Sequence, residues 1–121
     1  MKKRILVIDD DATIRFFLEK ILENSFEVIS KSDGFEAITW LNSGNIPDLI
    51  ILDMEMPNMN GRVFLRRIKS SPVQRNVPVI IVSGTDSRSI MNTFFKLGAA
   101  DYLVKPFRDV NFVERIEKWL R

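Results

Sequence analysis

The sequence predicts an α/β fold: a parallel five-stranded sheet flanked by five helices. Three observations predict it. Short apolar runs alternate five times with longer amphipathic stretches, at the spacing of βα units. Two of the runs, "LIIL" and "VIIV", show no polar alternation, as strands covered on both faces should. Turn signals separate the segments at Ser32-Asp33-Gly34, Asn42 to Pro47, Ser70 to Pro78, and Gly98.

The strand candidates are "RILVI", "FEVIS", "DLIIL", "PVIIV" and "DYLV", starting near residues 4, 26, 48, 78 and 101. In the first helical stretch Ile14, Phe17, Leu18, Ile21 and Leu22 follow the i, i+3, i+4, i+7, i+8 rule. Phe35, Ile38, Trp40 and Leu41 mark a second helix over 34–42. Gly61 opens a third, carrying Val63, Phe64, Leu65 and Ile68. A fourth spans about 87–97, with Ile90, Met91, Phe94, Phe95 and Leu97. The last covers about 109–120, with Val110, Val113, Ile116, Trp119 and Leu120. Asp11, just before "ATIRFF", reads as a helix cap or a solvated first-turn acid.

Bulk properties narrow the function. The 121 residues suit one domain, spanning 1–121, with a single core. A net charge of +2 gives no electrostatic case for nucleic acid or a membrane surface. The chain has no cysteine, which fits a reducing compartment and excludes disulfides and thiolate metal sites. It has no histidine, which excludes His-dependent catalysis and the usual zinc sites. The basic start "MKKR" is followed by a strand pattern rather than a signal-peptide core, and no apolar run reaches the ~20 residues of a membrane helix. The expectation is a cytoplasmic protein that binds neither nucleic acid nor membrane directly.

Right-handed crossovers leave parallel strands pointing one way, so all carboxyl ends share the edge where ligands bind in open α/β sheets. "ILVI" runs into Asp9 and Asp10, "DLIIL" into Asp53, "PVIIV" into Ser83 and "DYLV" into Lys105. Hard oxygen ligands without His or Cys suit Mg²⁺, Mn²⁺ or Ca²⁺. A lysine beside a cation makes sense when an anion lies between them, and a hydroxyl can donate to the same anion. The set reads as a phosphoryl site. No P-loop is present, so a nucleotide is not the natural ligand, whereas a carboxylate can itself accept a phosphoryl group.

The pieces "ILVIDDD", "PDLIILDMEMPNMNG", "PVIIVSG" and "GAADYLVKPF" carry a resemblance covering essentially all 121 residues. The chain resembles a receiver domain of a two-component response regulator, of the single-domain, chemotaxis-regulator-like kind. The resemblance implies the flavodoxin-like strand order 2-1-3-4-5. It implies Asp53 as phosphoryl acceptor. Mg²⁺ would be held by Asp10, Asp53 and the backbone carbonyl of Glu55, with Asp9 acting directly or through water. It makes Lys105 the partner of the phosphoryl group, Ser83 the switch hydroxyl and Tyr102 its aromatic partner. A cis bond before Pro106 is frequent in the family. The phosphoryl donor would be a histidine kinase or histidine phosphotransfer protein. Phosphorylation would alter the helix 4–strand 5–helix 5 surface towards an unidentified downstream protein.

Other positions read as tuning. Glu55 and Asp86 add negative charge near the site, and Glu55 is expected either to screen the phosphoryl group from water or to contact Lys105. Gly84 leaves room for a donor, and Asn60 is expected to stabilise a turn. Phe94, Phe95 and Met91 read as core rather than interface. Asp101 and Arg115 match positions that pair between subunits in receivers that dimerise through this face, so a homodimer on phosphorylation is one expectation and plain surface charge the other. Trp119 is expected to pack the last helix or mark a seam. The competing function is an aspartate-nucleophile phosphatase of the haloacid-dehalogenase type, which wants Asp-x-Asp after the strand where this chain has "DMEM". A flavin carrier shares the fold but needs a phosphate-cradling loop that the first strand lacks.

Overall fold

A computed structural model describes residues 2–106 and 109–121. The elements run β1 (Lys3–Ile8), α1 (Ala12–Leu22), β2 (Phe26–Lys31), α2 (Gly34–Asn42), β3 (Leu49–Asp53), α3 (Gly61–Ser70), β4 (Val79–Ser83), α4 (Arg88–Lys96), β5 (Asp101–Val104) and α5 (Asp109–Trp119). The five strands pair in parallel in the order β2-β1-β3-β4-β5. All ten expected elements are present.

Successive strand residues point to opposite faces, and the two cores follow that alternation. On one face Leu6, Ile8, Ile50, Leu52 and Ile81 pack with Ala37 and Leu41 of α2, Phe64 and Ile68 of α3, and Phe94 of α4. On the other, Ile5, Val7, Ile51, Ile80 and Val82 pack with Leu18 and Leu22 of α1 and Phe112 and Ile116 of α5. β3 and β4 are buried along their whole length, which explains their unbroken apolar runs.

Short polar side chains start the helices. Asp11 caps α1 by accepting from the Thr13 and Ile14 N–H groups, as its position suggested. Asp33 caps α2, and Ser87 caps α4. Asn60 does more than stabilise a turn: its side chain accepts from the Val63 N–H and caps α3.

Some residues read into apolar stripes face outward. Phe17, Phe35, Val63, Phe95 and Trp119 are exposed large hydrophobics, so Phe95 is surface while Phe94 is core. Met91 packs partly against the core. Val110, also read from sequence, has a side chain outside the described set. Among the described residues no helix is long and apolar enough to cross a membrane.

Candidate functional site

Pairing register brings the polar strand ends together. Asp9 follows β1 directly, and its N–H donates to the Lys31 carbonyl at 3.2 Å. Asp53 closes β3 opposite Val82, and Ser83 closes β4 opposite Val104. Lys105 follows β5, its N–H donating to the Ser83 carbonyl at 2.7 Å. The Lys105–Pro106 peptide is cis. These residues line a polar cleft of about 320 Å³ that also includes Asp10 and Glu55. A larger hollow of about 700 Å³ lies between the chain ends, near Lys2 and Leu120, far from this chemistry.

Asp9 and Asp53 are buried, whereas Asp10 is exposed. One carboxylate oxygen from each lies within 4.8 Å of the other two. The Lys105 ammonium answers part of this charge, lying 3.2 Å from Asp9 Oδ2 and 3.5 Å from Asp53 Oδ1. One lysine does not balance three acids. Two unit charges ~4 Å apart repel by roughly 4 kcal/mol at an effective dielectric near 20. Burial, and then the Asp9 charge, push the Asp53 carboxyl up to about 6, against the opposing pull of Lys105. Burial tends to lower the Lys105 pKa, but the Asp53 and Asp9 carboxylates together hold it above its ordinary value.

The donor set suits a hard divalent cation. At Mg–O distances near 2.1 Å, adjacent oxygens on an octahedral ion lie roughly 3 Å apart and opposite ones roughly 4 Å. The cluster of Asp9, Asp10 and Asp53 therefore needs only a small contraction to surround one ion. Glu55 is exposed, and its N–H donates to Asp53 Oδ1 at 3.4 Å; Lys105 pairs with Asp9 and Asp53.

Behind the carboxylates, the buried Ser83 hydroxyl accepts from the Thr85 N–H at 3.1 Å and lies 3.7 Å from Met54 Sδ. It does not cap α4, which Ser87 does. Tyr102 is buried, and its hydroxyl donates to the Thr85 carbonyl at 3.0 Å. Ser83 and Tyr102 are thus linked through one residue, Thr85, whose N–H meets one hydroxyl and whose carbonyl meets the other. Gly61 is required nearby because a Cβ there would come within 3.0 Å of the Met54 backbone.

Asp101 departs from the expectation of plain surface charge. Asp101 is buried and pairs with Arg115 of its own chain through two guanidinium nitrogens. The Trp119 indole N–H donates to the same carboxylate at 3.1 Å. The cluster ties the start of β5 to the far end of α5. Burial opposes ionisation of Asp101, yet the bonds from Arg115, Trp119 and the Tyr102 N–H hold its pKa below the usual value.

A doubly wound sheet with acids, a lysine and a hydroxyl on its carboxyl edge defines a class of phosphoryl-handling α/β domains. Within that class, the sequence profile described as the response regulator receiver domain matches residues 5–117, and the chain belongs to that family. It is 34% identical to the response regulator PleD of Caulobacter vibrioides, covering 100% of this chain and 27% of that protein. It is also 34% identical to the phosphate regulon regulator PhoB of Escherichia coli, covering 100% of this chain and 53% of that protein. The chain therefore spans about half, or less, of these curated relatives. Among solved structures, a Francisella response regulator receiver domain superposes with a TM-score of 0.89 at 33% identity, covering 98% of this chain and 97% of that one. Receiver domains of this family are phosphorylation-controlled switches, and nothing in these likenesses supports the haloacid-dehalogenase phosphatase alternative.

Proposed function

We propose that Asp53 accepts a phosphoryl group from a phosphohistidine on a histidine kinase or phosphotransfer protein. The observation that carries this reading is the convergence of the Asp9, Asp10 and Asp53 carboxylate oxygens beside the Lys105 ammonium. Asp10, Asp53 and the Glu55 carbonyl would hold Mg²⁺, with Asp9 direct or through water, and the ion would supply positive charge against the phosphoryl oxygens.

Asp53 attacks as the carboxylate. Its oxygen forms the new O–P bond in line with the breaking N–P bond, whose electron pair leaves on the donor imidazole. Lys105, already 3.5 Å from Asp53 Oδ1, is placed to follow charge onto a phosphoryl oxygen. Ser83 then turns its hydroxyl towards the same group. Thr85, bonded to both hydroxyls, relays that movement to Tyr102 and so to the α4–β5–α5 face. A pre-existing pair of states biased by phosphorylation accounts for the change. The face then selects a downstream protein or a second copy of the chain. We read the domain as spanning 1–121 and acting in the cytoplasm, consistent with a chain that has no cysteine.

A small N–P donor, phosphoramidate, tests this directly. Intact mass should show one phosphoryl adduct that requires Mg²⁺ and is absent from Asp53→Asn. An adduct independent of Mg²⁺, or one that survives Asp53→Asn, overturns the reading.

A further inference from the structure

The residue after Asp53 has an unusual set of neighbours. The Met54 backbone is held on both sides: its N–H donates to the Val82 carbonyl at 3.0 Å, and its carbonyl accepts from the Gly61 N–H at 2.9 Å. This clamp sets where the side chain begins. Its sulfur lies between two hydroxyls, 3.7 Å from Ser83 Oγ and 4.0 Å from Tyr102 Oη.

Each hydroxyl has one proton to give. Tyr102 gives its proton to the Thr85 carbonyl. Ser83 Oγ already accepts from the Thr85 N–H, which leaves its own proton facing the Met54 sulfur. Among the described residues the acceptor for the Ser83 proton is therefore a thioether, a weak one.

We propose that Met54 is a positioning residue of the switch, its thioether holding the Ser83 hydroxyl proton until a phosphoryl group on Asp53 takes it. The inference rests on the reading of Asp53 and Ser83 given above. A phosphoryl oxygen is a charged and stronger acceptor, so the exchange runs towards the phosphorylated state. The sulfur supplies the opposing bias: strong enough to orient Ser83 at rest, weak enough to release it. Leucine fills similar volume without a lone pair. Glutamine places a stronger acceptor in the same region.

The probe is beryllofluoride, which mimics a phosphoryl group on a carboxylate, titrated with Mg²⁺ present and followed by calorimetry. A neutral hydrogen bond contributes modestly, so Met54→Leu should bind about two- to fivefold more tightly than wild type. Met54→Gln should shift the Kd the other way. In a Ser83→Ala background the effect of Met54→Leu should vanish, which a purely packing role would not produce. Leu for Met is a volume-conserving change, and urea midpoints check that each variant folds. An unchanged or weakened Kd in Met54→Leu overturns the proposal, as do equal shifts with and without the Ser83 hydroxyl. Shifts of the same sign in Met54→Leu and Met54→Gln also overturn it. Wild type that binds Mg²⁺ but no beryllofluoride overturns the phosphoryl reading itself, and this inference with it.

Discussion

Asp53→Asn should make the metal-free protein more stable at neutral pH, although it removes the proposed phosphoryl acceptor. Asp53 is 7% exposed and sits beside Asp9. Its carboxyl is raised from 3.8 to about 6, by burial first and by Asp9 second. The folded state therefore binds more protons than the unfolded chain between those values. Stability falls as pH rises through that window, and the loss is complete above pH ~6. Two units correspond to about 3 kcal/mol at 1.36 kcal/mol per unit. Coupling with Asp9 and Lys105 reduces what is realised, so we expect Asn to add about 2 kcal/mol at pH 7.5. Asn keeps an oxygen for the Glu55 N–H and the Lys105 ammonium. Urea unfolding without Mg²⁺ at pH 7.5 and pH 4 measures the effect. The gain should shrink to near zero at pH 4, where Asp53 is protonated in the folded state. Saturating Mg²⁺ should narrow the difference at pH 7.5, because an ion bound only by folded wild type at ten times its Kd adds about 1.4 kcal/mol. A mutant less stable than wild type at pH 7.5, or a gain independent of pH, would refute the reasoning.

Lys105→Met removes the cation that competes for Asp9 and Asp53, so Mg²⁺ should bind more tightly while phosphorylation by phosphoramidate slows at least tenfold; calorimetry and intact-mass time courses read the two effects. Arg115→Met leaves the buried Asp101 carboxylate, among the described residues, with the Trp119 and Tyr102 N–H donors alone, and should cost about 2 kcal/mol in urea unfolding at pH 7. The depressed Asp101 pKa stabilises the fold above the unfolded value of 3.8, and that contribution is lost as pH falls through the folded value, so the mutant and wild-type curves should converge in acid. Gly61→Ala should lower stability by about 1–3 kcal/mol, because its Cβ meets the Met54 backbone at 3.0 Å. Glu55→Gln should change the lifetime of the phosphoryl adduct; an unchanged decay rate would remove Glu55 from any role in shielding it.

What could be read from the sequence divides along physical lines. The strands were legible because β3 and β4 are covered on both faces, leaving unbroken apolar runs. The site was legible because parallel strands must end on one edge, so the residues after each run meet whatever the loops do. Phe95 and Phe35 were harder to place: helical spacing describes a stripe but not its width, and both lie outside the covered arc. The Asp101–Arg115–Trp119 cluster joins the start of β5 to the end of α5, a contact no local pattern encodes. Within the chain that ion pair closes internally. Met54 gave no signal, because a methionine in a loop reads as packing until its sulfur is found between two hydroxyls.

The most direct test of the central claim is chemical localisation of the phosphoryl group. An acyl phosphate is reduced by borohydride, which converts the modified aspartate to homoserine, and peptide mass spectrometry then reads the position. After phosphorylation with Mg²⁺, the account predicts homoserine at residue 53 alone. Homoserine at residue 9 or 10, or a phosphoryl group retained on Ser83, would contradict it.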